Sequence, residues 1–223
     1  MTWLRVFCAL YLSAMNRSTK LTLKLVFSLA LFLGFSAYVY RTSVFRITQN
    51  LAVVDDGKLY RSAQMTTAEL QENIKKYGIK TVISLRGNPG KTNYYEAEAQ
   101  TLDKLKVNFV ALDFDDKFYP PEKDLQKLFL TFEKGDYPML VHCRVGADRT
   151  GMVAALYQQV YMKKSLDESL SQLTFKNWHV PLFKPAMSDF VRKFKGLNWA
   201  LNEYHVCDSE FITYRDTDYD CKN

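Results

Sequence analysis

His142-Cys143-Arg144-Val145-Gly146-Ala147-Asp148-Arg149-Thr150-Gly151 follows a strand-like run, Met139-Leu140-Val141, and precedes a helix-like run from Met152 to Met162. Between strand and helix stand a cysteine, five residues, an arginine, a hydroxyl residue and a glycine. Gly146 lets the backbone curl, so that the N–H groups of Arg144, Val145, Gly146, Ala147, Asp148 and Arg149 can form one concave nest for a phosphate dianion. The helix beginning near Arg149 aims its positive end at the same point. Arg149 itself returns to the loop, where its planar fork can grip two phosphate oxygens. The same groups favour Cys143 as a thiolate, a nucleophile facing phosphorus. Thr150 is placed to hydrogen-bond the sulfur as it departs from phosphorus.

The competing reading is a buried cysteine at a strand end with an unrelated arginine nearby. It loses ground because His142, Gly146, Thr150 and Gly151 are in place as well, in a strand–loop–helix context. The segment resembles the cysteine-dependent protein tyrosine and dual-specificity phosphatase superfamily. Two upstream stretches, Leu59-Tyr60-Arg61-Ser62-Ala63-Gln64 and Gly78-Ile79-Lys80-Thr81-Val82-Ile83-Ser84-Leu85-Arg86, look like the opening of its compact bacterial members. The resemblance covers roughly residues 50–200. It implies a phosphocysteine intermediate, no metal or cofactor, and an aspartate general acid on a separate loop.

In this chain the acid region reads Leu112-Asp113-Phe114-Asp115-Asp116-Lys117-Phe118-Tyr119-Pro120-Pro121. It is similar to the acid loop of the phosphoinositide-directed branch, with one residue more before the prolines. Carried over by position, Asp116 is the first candidate and Asp115 the second, against a solvated acidic turn that caps the next helix. Asp148, inside the nest, is absent from classical tyrosine phosphatases but resembles a bacterial subgroup acting on phosphopeptides and phosphoinositides. It can orient Arg149 or serve as an unconventional acid, while its charge opposes a dianion. His142 is expected to be structural, hydrogen-bonding near the sulfur. Arg144 stands at the rim, where it suits a multiply phosphorylated substrate. Arg61, Arg86 and Glu96 are expected to brace the core rather than line the pocket.

The formal charge of +6 is unevenly spread. Residues 1–46 carry six of the thirty basic residues and no acid, so the remaining twenty-four balance the twenty-four acids. No nucleic-acid-binding face is expected. Residues 21–40 are nearly all apolar, and about 20 such residues just span a bilayer core. They read as a membrane anchor, with a removable signal peptide as the rival: Gly34-Phe35-Ser36 is a mediocre cleavage site, and Met15 is an alternative start. In either case the basic flank stays inside and the globular part is exported, to the periplasm in a bacterium. Cys8 precedes the apolar run. Cys207 and Cys221 lie in a polar tail and, outside the cytosol, can form a disulfide rather than two free thiols.

From Asp55 onward strand-like and helix-like stretches alternate, which argues α/β. Thr66 with Glu69 and Ser165 with Glu168 read as capping boxes. Leu70, Ile74 and Tyr77 form an apolar stripe ended by Gly78, and Leu125, Leu128, Phe129 and Phe132 form another ended by Gly135. Pro185 is expected to open one last helix with Phe190, Phe194, Leu197 and Leu201 on its stripe. The resulting expectation is a central, mostly parallel sheet flanked by helices, as in dual-specificity phosphatases, preceded by a transmembrane or signal helix. Its parts are a basic segment (1–20), the apolar helix (21–40), a linker (41–54), the domain (55–205) and a polar tail (206–223).

The reaction expected is phosphate monoester hydrolysis. A protein phosphopeptide, a phosphoinositide and an inositol phosphate all stay open as substrate. A phosphate-binding module without turnover is the alternative from another class.

Overall fold

The computed structural model describes residues 16–87 and 93–221. Cys8 and Met15 lie outside them. The chain divides into two units at Thr48/Gln49. Among the described residues, the first contains one helix, α1 (Arg17–Thr48), long and apolar enough to cross a membrane by length and composition, with none of its residues buried. It runs on past residue 40 because no Gly or Pro interrupts 41–48. Its end comes at Gln49 and Asn50, both left-handed at φ 50° and 51°. The expected linker over 41–54 is therefore replaced by helix up to Thr48 and a strand from Ala52.

The second unit is built on strands β1 (Ala52–Asp55), β2 (Leu59–Ala63), β3 (Thr81–Ser84), β4 (Asn108–Ala111) and β5 (Met139–Cys143). Helices α2 (Thr67–Tyr77) and α3 (Asn93–Leu105) follow β2 and β3. After β4 and β5 come α4 (Glu122–Lys134) and α5 (Asp148–Tyr161), then α6 (Leu166–Leu170), α7 (Pro185–Lys193) and α8 (Leu197–Asn202). The sheet order is β1-β2-β5-β3-β4, antiparallel only between β1 and β2. The expected mostly parallel α/β fold is the one observed.

Strand periodicity sorts the core. Tyr60, Val82 and Leu140 face a smaller cluster with Leu70 and Ile74 of α2 and Leu102 of α3. Leu59, Ile83, Met139, Val141 and Cys143 face a larger one with Leu125 and Phe129 of α4, Val153 and Leu156 of α5, and Phe190 of α7. The connections thus change face between α3 and α4. This leaves β5 between β2 and β3, and a crevice opens at the carboxyl ends of such strands, where the order reverses. Cys143 is the last residue of β5. Both capping boxes are formed, and Gly78 closes α2 at φ 63°.

Two expectations are corrected at the C-terminus. The stripe after Pro185 is not one helix: Phe194 is extended and Gly196 has φ 109°, so the chain breaks and restarts as α8. Phe194, Leu197 and Leu201 still pack on the core, but from two elements. Nor does the expected polar tail after residue 205 stand apart from the domain. Val206 and Phe211 are buried, and Tyr219 donates to Glu122 Oε2. Cys207 and Cys221, 14 residues apart, are joined as a disulfide. Replacing both cysteines by serine is expected to lower the unfolding free energy by about 3 kcal/mol, the loop-entropy value for a ring of this size. The check is a lower denaturant midpoint at nearly unchanged slope. An unchanged midpoint would mean that the packing of Phe211 and Tyr219 alone holds the segment.

Candidate active site

β5 delivers Cys143 as a buried free thiol at the sheet's carboxyl end, and α5 begins five residues later. Gly146 makes the bend between them at φ 69°. A Cβ there would stand 2.5 Å from the Ser62 carbonyl carbon and oxygen and 2.6 Å from Ala63 N, so the loop lies directly on the end of β2. No other residue fits that approach. Of the loop residues, Arg144 is exposed, Val145 half-buried, and Gly146 and Ala147 buried.

Three side chains hold this loop from behind. Arg61, fully buried on β2, donates from Nη2 to Gly146 O at 2.6 Å. Its Nη1 reaches Gln172 O at 3.0 Å and Gln172 Oε1 at 2.7 Å. Burial pushes Arg61 down to about 10, and negative charge at Cys143 acts in the opposite direction. It remains a cation at neutral pH, beneath the nest. Asn50 Nδ2 donates to Val145 O and Gly146 O, each at 3.0 Å, and to Asn177 O at 3.3 Å. His179, absent from the residues singled out by sequence, places Nδ1 2.8 Å from Asp148 Oδ1.

Arg149 is held in front. Its Nη1 donates to Leu85 O and Phe114 O, both at 2.9 Å, which ties the arginine to the end of β3 and to the acidic loop. Its Nε is buried without a protein partner. The Thr150 hydroxyl is likewise buried and unpartnered, so the expected bond to the cysteine sulfur is not made here. His142 points to the other face of the sheet, as the residue before Cys143 on a strand must. Its Nε2 lies 2.9 Å from Glu98 Oε1, an ion-pair distance without hydrogen-bond alignment, and both groups are buried. It does not face the sulfur.

Of the three expected braces, only Arg61 is a buried one. Glu96 is exposed, and the buried acid of α3 is Glu98, half a turn further on. Arg86 lines a cleft of about 430 Å³ together with Gln64, Tyr94, Glu98 and Arg144. Its Nη1 donates to Gln64 Oε1 at 3.0 Å, and its guanidinium lies 4.8 Å from the Tyr94 ring centroid. Burial, and then the charge of Arg149, pull Arg86 below the ordinary arginine range.

In the acidic loop, Asp115 is exposed and its Oδ1 accepts from Lys117 N at 2.7 Å, a local turn. Asp116 is partly buried and ion-paired with Lys184, a partner sequence reading did not find. Below it, Tyr119 donates to Asp189, and its N–H donates to Tyr214 O at 2.8 Å.

Residues 37–191, well over half of the chain, match the family described as DSP-PTPase phosphatase fused to NAD+ kinase. The chain belongs to this phosphatase family. Among solved structures, TpbA of P. aeruginosa superimposes with a TM-score of 0.55 at 20% identity, over 66% of this chain and 86% of that one. A cysteine-to-serine form of TpbA in complex with pTyr gives 0.55 at 19%. The core catalytic domain of the PP-IP phosphatase SIW14 from S. cerevisiae, in complex with citrate, gives 0.54 at 18%, over 66% and 85% of the two chains. Likeness at this level of identity establishes the shared fold. No curated protein matches the chain. The matched span includes the loop from Cys143 to Thr150 and the segment from Leu112 to Pro121.

Proposed function

We propose that the chain hydrolyses phosphate monoesters through a phosphocysteine on Cys143. The observation that carries this reading is the setting of Arg149. Two carbonyls from separate loops orient its Nη1, and its buried Nε is left for an oxyanion beside the cysteine. The Cys143 thiolate attacks phosphorus, an S–P bond forms and the P–O bond to the leaving group breaks. Asp116 protonates the departing oxygen. Water then attacks phosphorus, Asp116 takes back a proton, and the S–P bond breaks to release inorganic phosphate and the thiolate. The unpartnered Thr150 hydroxyl is available to the sulfur in that second step. Donation by Asp116 requires its pair with Lys184 to open as substrate enters, the ammonium turning towards the incoming anion.

Arg144, Val145, Gly146, Ala147, Asp148 and Arg149 supply the backbone nest. A phosphopeptide is the first substrate reading. A phosphoinositide or inositol phosphate is favoured by one observation, the pair Arg86 and Arg144 lining the adjacent cleft. TpbA, solved with pTyr, and the PP-IP phosphatase SIW14 stand for these two choices on the same fold. Helix α1 supports a membrane-anchored or exported protein whose phosphatase domain lies on the non-cytosolic side.

The test is a substrate panel with the full chain in detergent and EDTA: phosphotyrosyl peptide, phosphoinositides and inositol hexakisphosphate. Vanadate-sensitive turnover is expected. A preference for peptide by orders of magnitude in kcat/KM would sink the inositol reading, and tight phospholigand binding without turnover would sink hydrolysis itself.

A further inference from the structure

We infer that His179 is a positioning residue for the phosphate loop, holding the Asp148 carboxylate so that its charge does not oppose an incoming phosphate. The inference rests on the phosphatase reading above. Asp148 is the first residue of α5, inside the loop, where a negative side chain should weaken a site built for a dianion. The neighbouring Arg149 turns its Nη1 away from it, to Leu85 O and Phe114 O. The group that meets the carboxylate is His179, which is fully buried, with Nδ1 2.8 Å from Oδ1. A carboxylate only accepts, so Nδ1 carries the proton of this contact. The other ring nitrogen, Nε2, is buried without a protein partner. An imidazole kept dry with one end unsatisfied is costly, and here its polar contact is the one to Asp148.

The chain takes pains to place this ring. Trp178 adopts φ 66° at the end of the 3₁₀ turn Phe175–Asn177, and His179 N donates to Thr174 O at 3.1 Å. The same segment supports the loop elsewhere: Gln172 receives Arg61, and Asn177 O receives Asn50. Leu173 and Gln172 also press on Gly151, where a Cβ would come within 2.7 Å and 2.8 Å of them. Residues 172–179 thus form a strap across the back of the phosphate loop, and His179 is its contact to a charged loop side chain.

Vanadate and inorganic phosphate binding to the full chain in detergent, measured by calorimetry, tests this without relying on turnover. His179→Ala is expected to raise the vanadate Kd by about tenfold, the scale of one unrelieved like charge. His179→Asn, whose amide nitrogen can occupy the Nδ1 position, should stay near wild type. In the double variant His179→Ala/Asp148→Asn the charge is gone, so binding should return to the level of Asp148→Asn alone. A cavity effect of His179 would give no such recovery. The inference is overturned if the double variant binds as weakly as His179→Ala, or if His179→Asn does. Should His179→Ala fail to fold, the Asn and double variants decide by themselves. A wild-type chain that binds neither oxyanion overturns the phosphatase reading and this inference with it. Normal wild-type binding without recovery overturns this inference alone.

Discussion

Cys143→Ser is expected to reduce turnover roughly 10⁴-fold or more, the order seen when a nucleophile is removed from a machinery that works as a unit. Oxyanion binding should persist. Sulfur and oxygen differ little in size, and Cys143 is already buried, so the loop can retain its course over Ser62 and Ala63. The backbone nest and Arg149, clamped by Leu85 and Phe114, remain to hold phosphate or vanadate. A serine hydroxyl, unlike a thiolate, is not ionised at neutral pH and cannot attack phosphorus without a base. The measurement is kcat on an aryl phosphate beside the calorimetric vanadate Kd, with a melting curve for folding. Turnover within tenfold of wild type would place the nucleophile elsewhere and end the phosphocysteine mechanism.

Asp116→Asn should cost roughly 10²–10⁴ in kcat when the leaving group is a poor one, such as a serine or inositol alkoxide. With an activated aryl phosphate the loss should shrink, since that oxygen departs with little need of a proton. This dependence on the leaving group distinguishes a proton donor from a residue that only holds Lys184. Asp115→Asn should be mild, because Asp115 is exposed and spends its carboxylate on the turn at Lys117. If Asp148→Asn instead shows the leaving-group-dependent defect while the Asp116 variant behaves normally, the acid sits in the phosphate loop and the assignment of Asp116 fails.

What could be read from the chain, and what could not, follows the range of the interactions. Cys143 to Gly151 was legible because the whole set of residues lies in one unbroken stretch of chain. Capping at Thr66 and Ser165 was legible because both partners lie within one turn. By contrast, the pairs Glu98–His142, Asp148–His179 and Asp116–Lys184 bring together residues 44, 31 and 68 positions apart. No local period announces them. Glu96 was named where Glu98 is the buried acid, since only the packing of α3 on the sheet decides which carboxylate turns inward. β1 was hidden by its shortness, four residues with a bulge between Val53 and Asp55. Residues 206–223 read as a polar tail because their Asp and Glu outnumber the aromatic rings that make the contacts.

Those rings also bear on the order in which the parts of the domain emerge. Tyr119, at the base of the acidic loop, packs against Phe211 and Tyr214, with ring centroids 5.4 Å and 5.5 Å away, and hydrogen-bonds the Tyr214 carbonyl. A chain emerging from the ribosome N-terminus first presents the Cys143–Thr150 loop some sixty residues before it presents this support. During synthesis Cys143, the proposed nucleophile, is thus laid down first, while the footing of the proposed proton donor follows later. A growing chain halted before Phe211 has Cys143 and Arg149 but lacks the rings that pack against Tyr119. On the proposed mechanism, emergence of Phe211 and Tyr214, rather than assembly of the Cys143–Thr150 loop, sets the moment at which hydrolysis of a substrate with a poor leaving group can begin.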